Sequence, residues 1–413
     1  MFPLRSPPRV VVLIVAVTVT VTLGTPALAM PAALPASLAS PYRSPYQPAS
    51  DADLLQEVPS LEDPAVGAMR ARRRELEATP HDVRAALALA NAYIDYSRQI
   101  GDAHYAGYAE AVIAPWTALP APPAGVLLTQ ATILQFRHEF APARELLERA
   151  LHQDPRNGQA WLTSATLDMV QGNFAAASKA CAQVTNTAGL QPGLVCLGSL
   201  RSYTGEAKQS LALLQQAETS STGASAVYRG WVQGLMAETA ERLGNWQAAE
   251  LHYRAGLEAL PRDNFLLVAY ADFLLDRGRP REVLPLLAAQ SQSDTAFLRL
   301  ALAADALHAP DAGRYTWTMA ARFAALKARG SDYFGREESR FALRLGRDPQ
   351  SALQLATLNW QVQRAPWDAR VLLEAALAAN QPAAAADVVA FIKETRLEDP
   401  MVLALVRQLS TLP

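Results

Sequence analysis

The residues of this chain best suited to hold a metal or to pair a nucleophile with a base are six histidines and two cysteines, and their spacing serves neither purpose. His81, His104, His138, His152, His252 and His308 stand singly. A His-Glu-x-x-His pair would set two imidazoles on one helix face beside a general base, and a Cys-x-x-Cys pair would supply two thiolates to one ion; neither motif occurs. The Gly-Asp-Ala-His run at Gly101 and the Gly-Ser-Leu-Arg run at Gly198 match no nucleophile motif. The sequence therefore predicts no catalytic, cofactor-binding or metal-binding residues, and no enzyme. Charge also argues against nucleic acid. The net is −2, and 33 arginines against four lysines are spread along the chain rather than massed in one basic stripe.

What would position side chains here is helical throughout. Half the residues are apolar, with alanine and leucine dominant, and beyond residue 30 there is no strand-type alternation of valine, isoleucine and aromatics. Four glycines pace the middle of the chain: Gly172, Gly205, Gly244 and Gly278, at intervals of 33, 39 and 34 residues. Around three of them a short phrase recurs, as Gly172-Asn173-Phe174-Ala175-Ala176-Ala177, Gly244-Asn245-Trp246-Gln247-Ala248-Ala249 and Gly278-Arg279-Pro280-Arg281-Glu282-Val283. A period of thirty-odd residues marks a helix–turn–helix unit, with room for a short insertion in the longer interval.

Written out unit by unit, the pattern sharpens. A unit opening at Ala124 places Leu127, Ala131, Leu134, Ala143, Leu147 and Ala150 where the next, opening at Gly158, places Trp161, Ala165, Asp168, Ala177, Cys181 and Val184. Further units open at Gly230 and Asn264. Small residues belong where two helices cross closely, and large ones fill the space on either side. Pro155 and Pro261 close units and leave Asn157 or Asn264 to cap the next helix.

These positions resemble the tetratricopeptide repeat. The resemblance implies an all-α solenoid of stacked helix–turn–helix repeats, whose first helices line a concave groove that docks protein or peptide. Carried over place by place, the groove comprises Leu128, Thr129, Thr132 and Phe136 from one unit, and Leu162, Thr163 and Thr166 from the next. It continues with Trp231, Glu238, Glu241 and Arg242, then Phe265, Asp272 and Asp276, with Tyr203 among the groove aromatics. The surface turns acidic along its length, which suits a partner with an apolar stretch followed by a basic segment. A groove-aromatic set of Trp231, Phe265, Tyr203 and Phe136 supports the alternative of a polysaccharide-binding or export accessory module.

The N-terminus reads as a signal peptide over residues 1–29. Arg5 and Arg9 precede an apolar run from Val10 to Leu23, and Ala27-Leu28-Ala29 offers a small-x-small cleavage site. The run is shorter than the roughly 20 residues a membrane helix needs. An exported, periplasmic protein of bacterial type is the expectation, with no integral span in the mature chain. Residues 30–60 form a leader rich in proline, serine and alanine, read as a tether. Residues 61–123 are expected to form an irregular first helical repeat, in which Tyr105, Tyr108 and Trp116 cluster and Pro115 closes the second helix. Residues 124–290 carry the clear repeats, and 291–413 degenerate ones, with a helix capped by Asp399 sealing the end.

Cys181 falls in a second helix and Cys196 in the first helix of the following unit. In an exported chain such neighbours oxidise when the geometry permits, and remain two small buried apolar residues when it does not. The register turns Cys196 towards the groove and Cys181 between helices. The function this sequence supports is a non-catalytic scaffold outside the cytoplasm, docking a protein in its groove.

Overall fold

The computed structural model describes residues 63–220, 223–328 and 335–411. The expected signal peptide and leader, residues 1–60, lie outside these residues. Helix α1 (Pro64–Ala78) precedes six antiparallel pairs: α2/α3 (Val83–Ile100, His104–Thr117), α4/α5 (Ala124–Phe136, Phe140–Gln153), α6/α7 (Gly158–Val170, Phe174–Ala188), α8/α9 (Leu190–Tyr203, Ala207–Thr219), α10/α11 (Ala226–Arg242, Trp246–Ala259) and α12/α13 (Asn264–Asp276, Pro280–Leu287). Three more pairs follow: α14/α15 (Asp294–Ala306, Ala312–Ala328), α16/α17 (Gly335–Arg344, Pro349–Val362) and α18/α19 (Pro366–Ala378, Ala386–Thr395). Helix α20 (Pro400–Leu409) ends the array. No strand occurs among the described residues.

The pairing runs well past residue 290. Each pair turns through a residue in the left-handed region: Gly101, His138, Gly172, Gly205, Gly244, Gly278, His308, Arg347 and Asn380, with φ between 49° and 77°. Glycine takes this conformation without cost, and histidine and asparagine tolerate it better than most. Beyond Gly278 the turn is unchanged and only its residue type differs, so the fading of the sequence repeat is not a fading of the fold.

Packing follows the alternation of small and large residues. Ala131, Ala143, Ala165, Ala177, Ala237, Ala249 and Ala271 are fully buried, as helix crossings demand. First helices touch one another along the array, α2 to α4, α4 to α6, α6 to α8, α8 to α10, α12 to α14, α14 to α16 and α16 to α18. Asn157 caps α6, accepting from the Ala160 amide at 3.0 Å. For α12 the cap is Asp263, accepting from Leu266 at 2.9 Å; Asn264 is instead the first helical residue, and its amide donates to Thr295 Oγ1 at 3.1 Å. Helix α10 begins at Ala226, four residues before the expected Gly230, on a Ser225 cap. Pro115 does not close α3 but lies inside it, and the helix ends at Thr117. Only the one amide donor is lost there, close to a helix end where the chain tolerates it. Asp399 caps α20 as expected, accepting from Met401 and Val402.

Cys181 and Cys196 are joined in a disulfide, with Cα atoms 5.4 Å apart. Both are buried in one core with Ala165, Ala177 and Leu200. The opposed orientations expected from the register do not hold, because α7 and α8 lie against each other and turn both sulfurs into their shared interface.

The array also folds back on itself. From Gln363 to Met401 the chain meets the turns of five successive pairs in order. Gln363 bonds His138 at 3.1 Å. The Arg364 amide donates to the Val170 carbonyl at 2.7 Å, and the Phe391 ring lies 5.9 Å from that of Phe174. Arg396 packs on Gly205, and the Ala207 amide donates to Glu398 at 2.9 Å. Pro400 abuts Gly244, and Arg277 reaches Met401 Sδ at 3.8 Å. At the other end, Asp63 pairs with Arg262 at 2.9 Å, and Gly101 lies against Asn264 and Ser293.

Candidate docking surface

The neutral half of the expected groove is polar only in composition. Each of its hydroxyls donates to the carbonyl one helical turn back: Thr129 to Gly125, Thr132 to Leu128, Thr163 to Gln159 and Thr166 to Leu162, at 2.9 to 3.0 Å. Thr129 and Thr163 are buried, so these hydroxyls satisfy themselves inside the helix and present little to a partner. Leu128 packs with the core around Ala131 and Leu147, and Leu162 with the disulfide core.

The acidic half is not an open acidic surface. Asp272 is buried and takes Arg299 at 2.7 Å and Arg340 at 2.6 Å. Burial would raise its carboxyl, yet the two guanidinium groups outweigh burial and hold it at about 2. Arg299 also pairs with Glu337, which belongs to α16. Asp276 takes both terminal nitrogens of Arg370, at 2.5 and 2.7 Å. Arg242 is buried, pairs with Glu238 at 3.3 Å and stacks 5.0 Å over the Tyr203 ring. Glu241 accepts from the Tyr253 hydroxyl at 2.5 Å. Burial pushes its carboxyl up to about 8, and the neighbouring charges of Glu238 and Asp276 act the same way against the Tyr253 bond. The expectation of an acidic surface for a basic segment is thereby corrected. An unpaired carboxylate inside a helical array is costly, and α14, α16 and α18 bring the arginines that neutralise it. Arg299, Arg340 and Arg370 are the residues the sequence reading missed; each sits midway along a first helix beyond residue 290.

The same closure leaves a cleft of only about 40 Å³ where Glu238, Glu241 and Asp276 meet Trp367, Arg370 and Asp399. Trp367 is stacked under both Arg340 and Arg370, at 4.9 and 4.3 Å.

Of the four groove aromatics, two are engaged within the protein. Tyr203 lies under Arg242 and against Phe174, at 6.4 Å between rings, and Phe136 lies under Arg98 at 5.0 Å. The other two are exposed. Trp231 near the start of α10 is 37% exposed and Phe265 near the start of α12 is 58% exposed. They occupy the same place in their units. Val227, one turn before Trp231, and Leu190 at the start of α8 are also exposed. Tyr228 packs edge-on against Trp231 at 6.4 Å. The structure thus leaves Val227 and Trp231 exposed one turn apart on α10, and Phe265 exposed at the matching place of α12.

The aromatic group expected near the N-terminus is a packed core. Tyr93, Tyr96, Tyr105 and Tyr108 meet ring to ring at 4.8 to 6.1 Å, and Trp116 packs beside them. Only Tyr108 is exposed.

A family model described as tetratricopeptide repeat matches residues 137–192. Among solved structures, the chain is similar to the APC/C hetero-tetramer Cut9–Hcn1, at 11% identity and a TM-score of 0.41, covering 84% of this chain and 52% of that one. It is similar to yeast Tom70 at 9% identity and a TM-score of 0.38, covering 84% and 85%. A tetratricopeptide repeat protein from Parabacteroides merdae matches at 13% identity and a TM-score of 0.37, covering 60% and 92%. The chain spans about half the length of the first of these structures. No curated protein sequence matches it.

Proposed function

We propose, from the premise that this chain is a tetratricopeptide-repeat protein, that it is a non-catalytic scaffold docking one partner protein on the exposed apolar side chains of Val227, Trp231 and Phe265. The repeat type mediates protein–protein interaction. The observation that carries the reading is the exposure of Trp231 and Phe265 at equivalent places on the first helices of successive pairs; the other exposed aromatics, Tyr108 and Trp317, lie on second helices. Large aromatics on an otherwise self-satisfied surface are the anchors that protein interfaces favour. Because Asp272 and Asp276 are held by Arg299, Arg340 and Arg370, the partner segment is recognised by apolar side chains and not by a basic run.

We place this activity outside the cytoplasm, as an exported protein. Arg5 and Arg9 before the Val10–Leu23 run support that reading, as does the Cys181–Cys196 disulfide, a bond that persists in oxidising compartments.

The test is site-specific photo-crosslinking in the source cells from a photoreactive residue at position 265, with the same residue at exposed Ala325 as control. The expected result is one adduct of defined mass from position 265, absent from position 325 and lost when Trp231→Glu is added. Equal labelling from both positions, or an adduct that survives Trp231→Glu in a folded protein, defeats the assignment.

A further inference from the structure

A second feature lies away from Trp231 and Phe265, among α13, α14 and α15. The second helices α5, α7, α9 and α11 are 13 to 15 residues long, but α13 has eight. Pro285 sits within it, and the chain passes into a short 3-10 turn at Ala288–Gln290. About one turn of the helix that a regular repeat would lay there is missing. In its place is a cavity of about 570 Å³. The space opens to solvent on one side, and its size falls in the range of small-molecule sites.

The walls have a definite chemistry. Leu284, Leu300 and Ala304 supply an aliphatic floor, and Phe297 and Tyr315, with rings 5.4 Å apart, supply an aromatic side. Two guanidinium groups lie on those rings: Arg322 at 4.1 Å over Phe297 and Arg314 at 4.8 Å over Tyr315. Arg322 is fixed by Asp294 at 3.1 Å and by the Ser291 carbonyl at 3.0 Å. Arg314 meets one carboxylate among the described residues, Asp311 at 2.9 Å, in an exposed pair three residues apart at the start of α15. Such a pair contributes little and exchanges readily. Of the two cations in the lining, Arg322 is thus held by Asp294, and Arg314 is the one whose carboxylate partner is exposed and readily exchanged. Stacking pre-orients the guanidinium fork, which then needs little ordering to receive a carboxylate. An aliphatic floor is a poor host for water.

We propose that this cavity binds a small apolar carboxylate of the medium-chain fatty acid class, with its chain on Leu284, Leu300 and Ala304 and its carboxylate on Arg314 and Arg322. The site is separate from Trp231 and Phe265, and its occupancy does not depend on a partner protein.

The experiment is calorimetric titration of the full mature chain with decanoate, with decanol as the uncharged arm and a short peptide ending in Leu-Phe as the chain-end arm. Decanoate should bind, and Arg314→Met should weaken it about tenfold or more, the size of a lost charge-assisted hydrogen bond. Decanol should bind the native protein no better than decanoate binds that variant. Ala304→Phe should fill the cavity and abolish binding; should it fail to fold, Thr318→Trp narrows the same space from the α15 side. Absence of decanoate binding at millimolar concentration, indifference to Arg314→Met, or equal affinity for decanol overturns the proposal. Tighter binding of the Leu-Phe peptide than of decanoate overturns it as well, because the carboxylate then belongs to a protein chain end.

Discussion

Arg370 of α18 holds Asp276 of α12 through both terminal guanidinium nitrogens, at 2.5 and 2.7 Å, across 94 residues of chain. Its Nε also donates to Glu374 at 2.8 Å, and its plane lies on Trp367. One side chain thus joins the closing helices to the middle of the array. Arg370→Met removes the cation and leaves Asp276 facing Glu238 and Glu241. Breaking a largely buried pair from one side costs about 3 kcal/mol. We expect that loss in urea unfolding, and partial recovery when Asp276→Asn is combined with it. Equal stability of Arg370→Met and the native protein would show that the closure contributes nothing.

Glu241 sets a pH dependence whose sign follows from its surroundings. In the unfolded chain its carboxyl titrates near 4.5; in the fold burial holds it up near 8. Between those values the folded protein binds the proton that the unfolded chain has lost, so stability falls as pH rises through this window. The contribution is fully present below about 4.5 and gone above 8, and it is on the order of a few kcal/mol. Thermal unfolding from pH 5 to 8.5 should show a declining melting temperature. Glu241→Gln, which keeps a hydrogen-bonding partner for Tyr253 without the charge, should flatten the decline. An unchanged slope in that variant would assign the pH dependence elsewhere.

Gly205 and Gly278 separate backbone strain from contact. Both take φ near 70°, at 71° and 68°. A Cβ at Gly278 would meet open space, whereas one at Gly205 would run into the carbonyl and Cβ of Arg396. Gly278→Ala should therefore cost only the left-handed conformation, about 1 kcal/mol. Gly205→Ala should cost a further 1–3 kcal/mol, roughly the range for forcing atoms into a filled space. Parallel denaturant curves measure the difference, and equal losses would mean that the α19–α20 connection does not seat on the turn between α8 and α9.

The paired helices between Ala124 and Gln290 were legible because alanine marks their crossings and glycine every turn but that at His138. The pairs beyond Gln290 were disguised. His138, His308, Arg347 and Asn380 adopt the same left-handed turn without being glycine, so the period persists in the backbone after it has left the sequence. The truncation of α13 had a local signal in Pro285, but the cavity beside it depends on how α14 and α15 stand. The surroundings of the groove were not legible at all. Positions 272 and 276 are where the repeat register puts them, on an inner helix, yet their partners arrive from Arg299, Arg340 and Arg370, 27, 68 and 94 residues further on. No local pattern encodes that meeting. A lysine at Asp272 would accordingly test the stability of a buried network and say nothing of partner binding.

The Cys181–Cys196 bond closes a loop of 15 residues between α7 and α8. Cross-linking restricts the unfolded chain, and a loop of that length is worth about 3 kcal/mol. These are the two cysteines of the chain, so a thiol assay on the denatured, unreduced protein should find none free. Reduction, or Cys181→Ala with Cys196→Ala, should lower the unfolding free energy by about 2–3 kcal/mol and leave the helical signal intact. Both side chains are buried among alanines, so the double alanine variant also loses a little packing. Reduction of the native protein removes the bond alone, and the difference between the two measurements isolates the sulfur volume from the cross-link. Two free thiols in the unreduced protein would instead leave Cys181 and Cys196 as packing residues, and with them would go one support for placing the scaffold outside the cytoplasm.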